Sequence, residues 1–325
     1  MDVCSMGEMV HYYIKHSLAK STLRTYESGK RRYIRFCMLA NCAPLPVSER
    51  KLCEFVANTA KEGLKHQTIK SYLSAVRHLQ ILVGLGDPFL QNMPILEYVL
   101  RGVKSVEVKF PTSPQRTRLP ITPDILRKVR LVLEKDKMKY DHVMLWAAYC
   151  TAFFGFLRSG EVTVPSRAAY DPGEHLSYGD ITFNSQTQPT VAQVNIKASK
   201  TDPFRAGVMI YLGRTNCELC PVTALIAYYT IRGTEAGPFF QFRDGSPLSR
   251  EKMVEKLRES LTEAGVDPTK FAGHSFRIGA ASTARANGVQ DSMIQTLGRW
   301  RSAAYLRYVR IPRQELASIS KTLVS

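Results

Sequence analysis

In the segment Gly273-His-Ser-Phe-Arg-Ile-Gly-Ala-Ala281, His274 and Arg277 stand three residues apart. On a helix that spacing lets a ring nitrogen and a guanidinium point at the same atom. Leu297-Gly-Arg-Trp300 follows, and Tyr308 lies eight residues beyond Trp300. Upstream, Arg158 stands behind a long apolar run and Lys200 sits in a turn between strand-like segments. A His-x-x-Arg alone arises often by chance. The chain order Arg, Lys, His-x-x-Arg, Trp, Tyr is much more specific. Guanidinium forks match a phosphate bidentately and do not lose their protons. An imidazole and an indole N–H add donors, and a phenol can attack phosphorus and hold the product as an ester. Such a set suits phosphoryl transfer onto a protein side chain.

Other chemistries leave no trace. The chain has no GxxxxGK[ST] loop, no GxGxxG after a strand and no HExxH. Cys217-Glu-Leu-Cys220 has metal-ligand spacing, but a four-ligand zinc site needs a second pair and none stands nearby. It reads instead as two small buried residues at a loop-to-helix junction. Nothing invites a carboxylate-based metal nuclease, and no cofactor is expected.

The elements that must position these residues fall into two regions. Residues 1–104 read as helical throughout. Leu23, Tyr26, Tyr33, Phe36 and Leu39 recur at helical spacing, with Lys30, Arg31, Arg32 and Arg35 on the other face. Ser48 caps a second helix. A third, Thr68 to Val83, buries Ile69, Leu73, Val76 and Leu79 and carries Lys65, Lys70 and Arg77 around it. A last helix runs from Met93 to Val103. Residues 105–120 contain three prolines and, counted from Lys104, four basic side chains including Arg116 and Arg118, the composition of an extended, charged linker. The second region, 121–325, opens with Thr122-Pro123 capping a helix. The uncharged run Val143 to Leu157 reads as a buried helix. Three runs rich in β-branched and aromatic residues, at 180–183, 191–196 and 207–212, predict a small three-stranded antiparallel sheet. Helices then continue to the end, where Leu316, Ile319 and Leu323 share one face. The expected fold class is mainly α (α+β).

The wording Phe-Leu-Arg-Ser-Gly-Glu (156–161), Ser-Lys-Thr-Asp (199–202), His-Ser-Phe-Arg-Ile-Gly-Ala (274–280) and Leu-Gly-Arg-Trp (297–300) resembles the tyrosine recombinases, the class of lambda integrase and Cre. It looks most like those of eukaryotic mobile elements, the DIRS, Ngaro and Crypton groups. The resemblance is tight over roughly 120–312 and only architectural before that. It implies a helical core-binding domain (1–104), a linker (105–120) and a catalytic domain (121–325) that clamp duplex DNA. It implies Arg158, Arg277, His274 and Trp300 as a cage for the phosphate oxygens, Lys200 as the general acid on the leaving 5′ oxygen, and Tyr308 as the nucleophile. Glu161 would orient the cluster. Lys197 is an alternative acid, and Tyr305, three residues away on the same expected helix, an alternative nucleophile. Tyr308 stands one residue closer to Trp300 than in lambda integrase or Cre. Positioned donors of this kind are worth about 2.7–4 kcal/mol each, whereas ionising a phenol at neutral pH costs about 4 kcal/mol. The ester stores the bond energy, so rejoining needs neither ATP nor metal.

Charge agrees with a polyanionic partner. The 325-residue chain carries 45 Lys+Arg against 28 Asp+Glu, a net charge of +17. Residues 1–110 hold +7 of this and the remainder +10, so the excess is no single basic tail. Double-stranded DNA is the expected partner, contacted by Lys30, Arg31, Arg35, Lys65, Lys70, Arg77, Arg116 and Arg118. A tetramer on DNA and a C-terminal segment docking on a neighbour follow from the resemblance alone. So does a nuclear location. No apolar run reaches the roughly 20 residues of a membrane span, and no small-molecule substrate is suggested. Seven scattered cysteines suit free thiols. Two other readings stay open: a type IB topoisomerase-like enzyme, which shares this chemistry without pairing two sites, and a domesticated, non-enzymatic DNA-binding protein.

Overall fold

The computed structural model describes residues 3–111, 117–135, 139–199, 202 and 206–310. The chain divides into two compact units, 1–115 and 116–325.

The first unit is a helical bundle: α1 (Val3–His16), α2 (Lys20–Leu39), α3 (Glu49–Lys61), α4 (His66–Leu82) and α5 (Pro94–Lys109). Ser48 caps α3 by accepting from Lys51 N, which satisfies one of the open donors of its first turn. α2 packs on α4 and α3 on α5, around Tyr33, Leu52, Phe55, Val56, Ile69, Leu73 and Val76. The α2–α4 crossing is close because residue 29 is glycine: a Cβ there would lie 2.9 Å from Ala75 Cβ. α5 continues to Lys109, five residues into the stretch expected to be linker. Lys104 to Lys109 contain no breaker, so helix propagates until the bias against helix just before Pro111.

The second unit opens on α6 (Pro123–Glu134), capped by Thr122 Oγ1 accepting from Ile125 N. α7 (Tyr140–Phe154) is buried on nearly every side from Met144 to Phe153, as expected of a helix apolar all round. α8 (Ser159–Val162) is a single turn. The three strands β1 (Ile181–Phe183), β2 (Val191–Ile196) and β3 (Val208–Gly213) form an antiparallel sheet in the order β1-β2-β3. Ile181 pairs with Val194, and Val194 with Ile210. α9 (Pro221–Arg232), α10 (Arg250–Glu263), α11 (His274–Ala286) and α12 (Asp291–Leu297) complete the unit. α7 packs against both α9 and α11, so the apolar helix is the spine on which the later motifs are mounted. No helix among the described residues is long and apolar enough to cross a membrane.

Candidate active site

Arg277 lies at the centre of the second unit's polar cluster, with its residue 0% exposed. It sits one turn into α11, whose approach to the preceding chain is fixed by Gly279: a Cβ there would lie 2.7 Å from the Ile121 carbonyl carbon and nearer still to its oxygen. Ile121 N donates to Ser275 O at 2.9 Å, so the 119–121 segment is bonded along this helix. The Arg277 guanidinium donates through Nη1 to Phe156 O and through Nη2 to Gly298 O. Its Cζ lies 4.2 Å from the Trp300 ring centroid and 5.5 Å from that of Tyr308. Burial pulls its pKa down to about 10, with Arg158 and Arg299 adding like-charge repulsion. It is still charged at neutral pH. The forked contact with phosphate expected for Arg277 is therefore not set out in the free protein, because two of its donors are held by its own backbone.

Arg158 follows the turn that ends α7. Phe156 adopts the left-handed region, φ +51°, which aims its carbonyl at Arg277. Arg158 is the N-cap of α8, where its N–H donates to Glu161 Oε2 at 2.8 Å and its Nη1 to Oε1 at 3.0 Å. The side chains of Arg158 and Glu161 are 15% and 3% exposed, so Arg158 alone of the pair reaches the surface. Glu161 also accepts from Arg299 Nη2 at 2.8 Å. One carboxylate thus bridges two guanidiniums. Sequence reasoning missed Arg299: it stands inside the quoted motif, but no spacing rule says where an arginine after a glycine points. Arg299 is itself left-handed, φ +56°.

His274 is exposed at the first position of α11, its ring 6.3 Å from that of Tyr308. Trp300 is 8% exposed and its ring lies 5.0 Å from the Tyr308 ring. The expectation that Tyr305 and Tyr308 share a helix is corrected. A 3-10 turn covers Ala303–Arg307 and Tyr308 follows its end. The two phenols diverge in environment. Tyr305 is buried, and burial together with its hydrogen bond to Asp291 raises its pKa. Tyr308 faces Arg277, His274 and Trp300. Its carbonyl accepts from Ser282 Oγ on α11 at 3.2 Å, and the same Oγ accepts from Arg310 N at 2.9 Å. Arg158, His274, Arg277, Trp300 and Tyr308 are thereby brought to one place, with Glu161 behind them.

Lys200, Arg116 and the segment 314–325 lie outside the described residues. Lys197 is engaged elsewhere: its Nζ pairs with Asp180 and donates to Pro172 O at 2.7 Å. In the first unit Arg31, Arg35, Lys65 and Lys70 are exposed and Lys30 is half-buried. Arg77 is held by Asp87, its Nε 2.9 Å from both carboxylate oxygens. In the second unit Arg118 donates to Thr269 O at 3.0 Å. The pair read as two buried cysteines also differs: Cys220 is buried, but Cys217 is exposed. Cys220 Sγ caps α9, accepting from the N–H groups of Thr215 and Thr223 at 3.4 Å each. Burial pushes this thiol up, but those hydrogen bonds outweigh it and bring its pKa down to about 7.

Comparison with known proteins shows what the chain is similar to. Residues 10–82 match the family described as "Phage integrase, N-terminal SAM-like domain". The "Integrase/recombinase xerD homolog" of Selenomonas ruminantium is 22% identical over 306 residues, covering 91% of this chain and 83% of that protein. A crystal structure of XerH site-specific recombinase bound to a palindromic difH substrate superposes with a TM-score of 0.61 at 15% identity, over 93% of this chain and 80% of that one. The Tn1549 transposon integrase, in complex with circular-intermediate DNA, gives 0.57 at 15% identity, over 96% and 98%. These likenesses establish the fold: mainly helical, with one small antiparallel sheet.

Proposed function

We propose that the chain is a tyrosine recombinase, a reading its likeness to phage-integrase and XerD-like proteins supports, and that it cleaves and rejoins double-stranded DNA at specific sites through a 3′-phosphotyrosyl intermediate. One observation carries the reading: Tyr308 lies against Arg277, His274 and Trp300 in a cluster that also holds Arg158.

Each residue's task follows from its surroundings. Arg158 and His274, which reach the surface, meet the nonbridging oxygens of the incoming phosphate. Arg277 acts from behind them, a charge in a dry site where fixed cations count for more than in water. The Tyr308 oxygen attacks phosphorus, and the bond to the 5′ oxygen breaks. That oxygen takes a proton from Lys200, by resemblance, while the tyrosyl proton passes to His274 or to solvent. Attack by the free 5′ hydroxyl of the exchanged strand reverses these steps. The proposal includes the basic faces of both units as the DNA-tracking surface, and four subunits working on two paired duplexes. Origin in a eukaryotic mobile element, with nuclear action, belongs to the same reading and rests on the motif wording.

The test is plasmid relaxation with covalent trapping, in EDTA and without ATP, using wild type, Tyr308→Phe and Tyr305→Phe. The expected result is an adduct and relaxed circles with wild type and Tyr305→Phe, and neither with Tyr308→Phe. Loss in Tyr305→Phe alone would move the nucleophile. DNA binding with no adduct on any substrate, element termini included, would favour the domesticated binder. Pairing of two labelled duplexes separates a recombinase from a topoisomerase of type IB.

A further inference from the structure

Three consecutive residues ahead of Tyr308 each grip the arginine cluster. The Gly298 carbonyl accepts from Arg277. Arg299 reaches Glu161, whose other oxygen holds Arg158 at 3.0 Å. Trp300 lies over the Arg277 guanidinium. The chain achieves this only through an unusual local backbone. Residue 298 must be glycine, since a Cβ there would fall within the Trp300 ring. Residue 299 is left-handed although it carries a side chain, a conformation that costs on the order of 1 kcal/mol or more and persists only where surroundings enforce it. Among the described residues, the buried Nε and Nη1 of Arg299 moreover have no hydrogen-bond partner. A strained backbone and donors unmatched among the described residues mark a position whose surroundings, not its own local preference, set its conformation.

We infer that Arg299 is a positioning residue for the strand-cleavage reaction: through Glu161 it fixes the 298–308 segment, and with it Tyr308, in register with Arg158. The link spans 138 positions in sequence, and its two side chains are 15% and 3% exposed. Little water screens it, so it resists displacement better than an exposed pair. Without it, Gly298 and Trp300 still touch Arg277, but the bridge from the segment through Glu161 to the Arg158 guanidinium is lost. The role given to Tyr308 rests on the recombinase reading; the fixing of the segment does not.

The chain has two tryptophans, so Trp146→Phe leaves Trp300 as a single reporter on the segment. Without DNA, acrylamide quenching of Trp300 should rise about two-fold or more in Arg299→Met and return most of the way in Arg299→Lys, which keeps the charge. In a Glu161→Gln background Arg299→Met should add nothing. If Trp146→Phe does not fold, subtracting the emission of Trp300→Phe from that of the otherwise native chain gives the same signal. With DNA, Arg299→Met should lower the adduct rate by roughly 10²-fold, the scale of an ångström misplacement, with DNA affinity within about two-fold. Unchanged quenching in Arg299→Met, or a loss of adduct matched by an equal loss of DNA affinity, would overturn the inference. An absence of adduct in wild type would refute the recombinase reading, while the quenching result would still decide whether Arg299 fixes the segment.

Discussion

Gly279→Ala is the substitution whose effect the structure sets out most directly. The added Cβ would lie 2.7 Å from the carbonyl carbon of Ile121, whereas carbon atoms rest at about 3.5–4.0 Å. The obstacle is backbone, which cannot rotate away as a side chain would, so α11 and the 119–121 segment must part by roughly 1 Å. Overpacking of this kind costs about 1–3 kcal/mol. Alanine in a helix recovers about 0.5–1 kcal/mol of backbone entropy. Because the bond from Ile121 N to Ser275 O is stretched at the same time, the cost wins, by about 2 kcal/mol. For a unit of this size, that corresponds to a Tm lower by about 4–8 °C. α11 carries His274 and Arg277, so the same displacement should cut the adduct rate by roughly 10²-fold. Differential scanning calorimetry and single-turnover trapping measure the two. A Tm at or above wild type would show that α11 is not wedged against Ile121, and the packing argument would fail.

Gly102→Ala is the matching opposite case: this glycine is exposed within α5 with no atom near its missing Cβ, so unfolding of the first unit should shift up by about 0.5–1 kcal/mol. Cys220 should titrate near pH 7, read as thiolate absorbance lost in Cys220→Ser. Since its folded pKa lies below the unfolded value of 9, its contribution is present above pH 9 and lost as pH falls through 7. Stability relative to Cys220→Ser should therefore rise between pH 7 and 9, by an amount on the order of 2 kcal/mol; a flat difference across that window contradicts the capping role. DNA affinity should fall steeply with salt. Arg35→Ala, on an exposed face, should lower the log–log slope by about 1, whereas Arg77→Ala, already paired with Asp87, should change it far less; equal slopes for the two would remove the distinction.

Much of this molecule is written in local patterns. Ser48 and Thr122 announce the starts of α3 and α6, the apolar run announces α7, and alternation with turn residues announces the three strands. Each is settled within a dozen residues by hydrogen bonding and burial, which is why a reading of sequence reaches it. The end of α5 was missed because composition marked a linker where no residue before Pro111 actually stops a helix. The site divides in the same way. Arg158, His274, Arg277, Trp300 and Tyr308 could be named from residue type and order. Tyr308 is the nucleophile the resemblance implies, with Tyr305 left open beside it because spacing places both on one helix; the 3-10 turn that sends Tyr305 to Asp291 is not legible in that spacing.

Arg277 shows why residue type falls short even where the motif is recognised. A guanidinium suits phosphate by chemistry, yet here two of its donors go to the Phe156 and Gly298 carbonyls. One of those carbonyls belongs to a left-handed residue, and the other directly precedes one. Both backbone distortions thus border the atoms that hold Arg277, and each is separated from it in sequence by twenty residues or more. No local rule links them. What holds the cation is a set of contacts among the end of α7, α11 and the segment after α12, so its environment is a property of packing. A cation held this way, with Arg158 and Arg299 raising its energy and Glu161 offsetting part of that, sits in a site with more positive charge than its own carboxylate neutralises. An anion would complete that balance, and in the proposed reaction a phosphodiester brought up to Tyr308 would supply one.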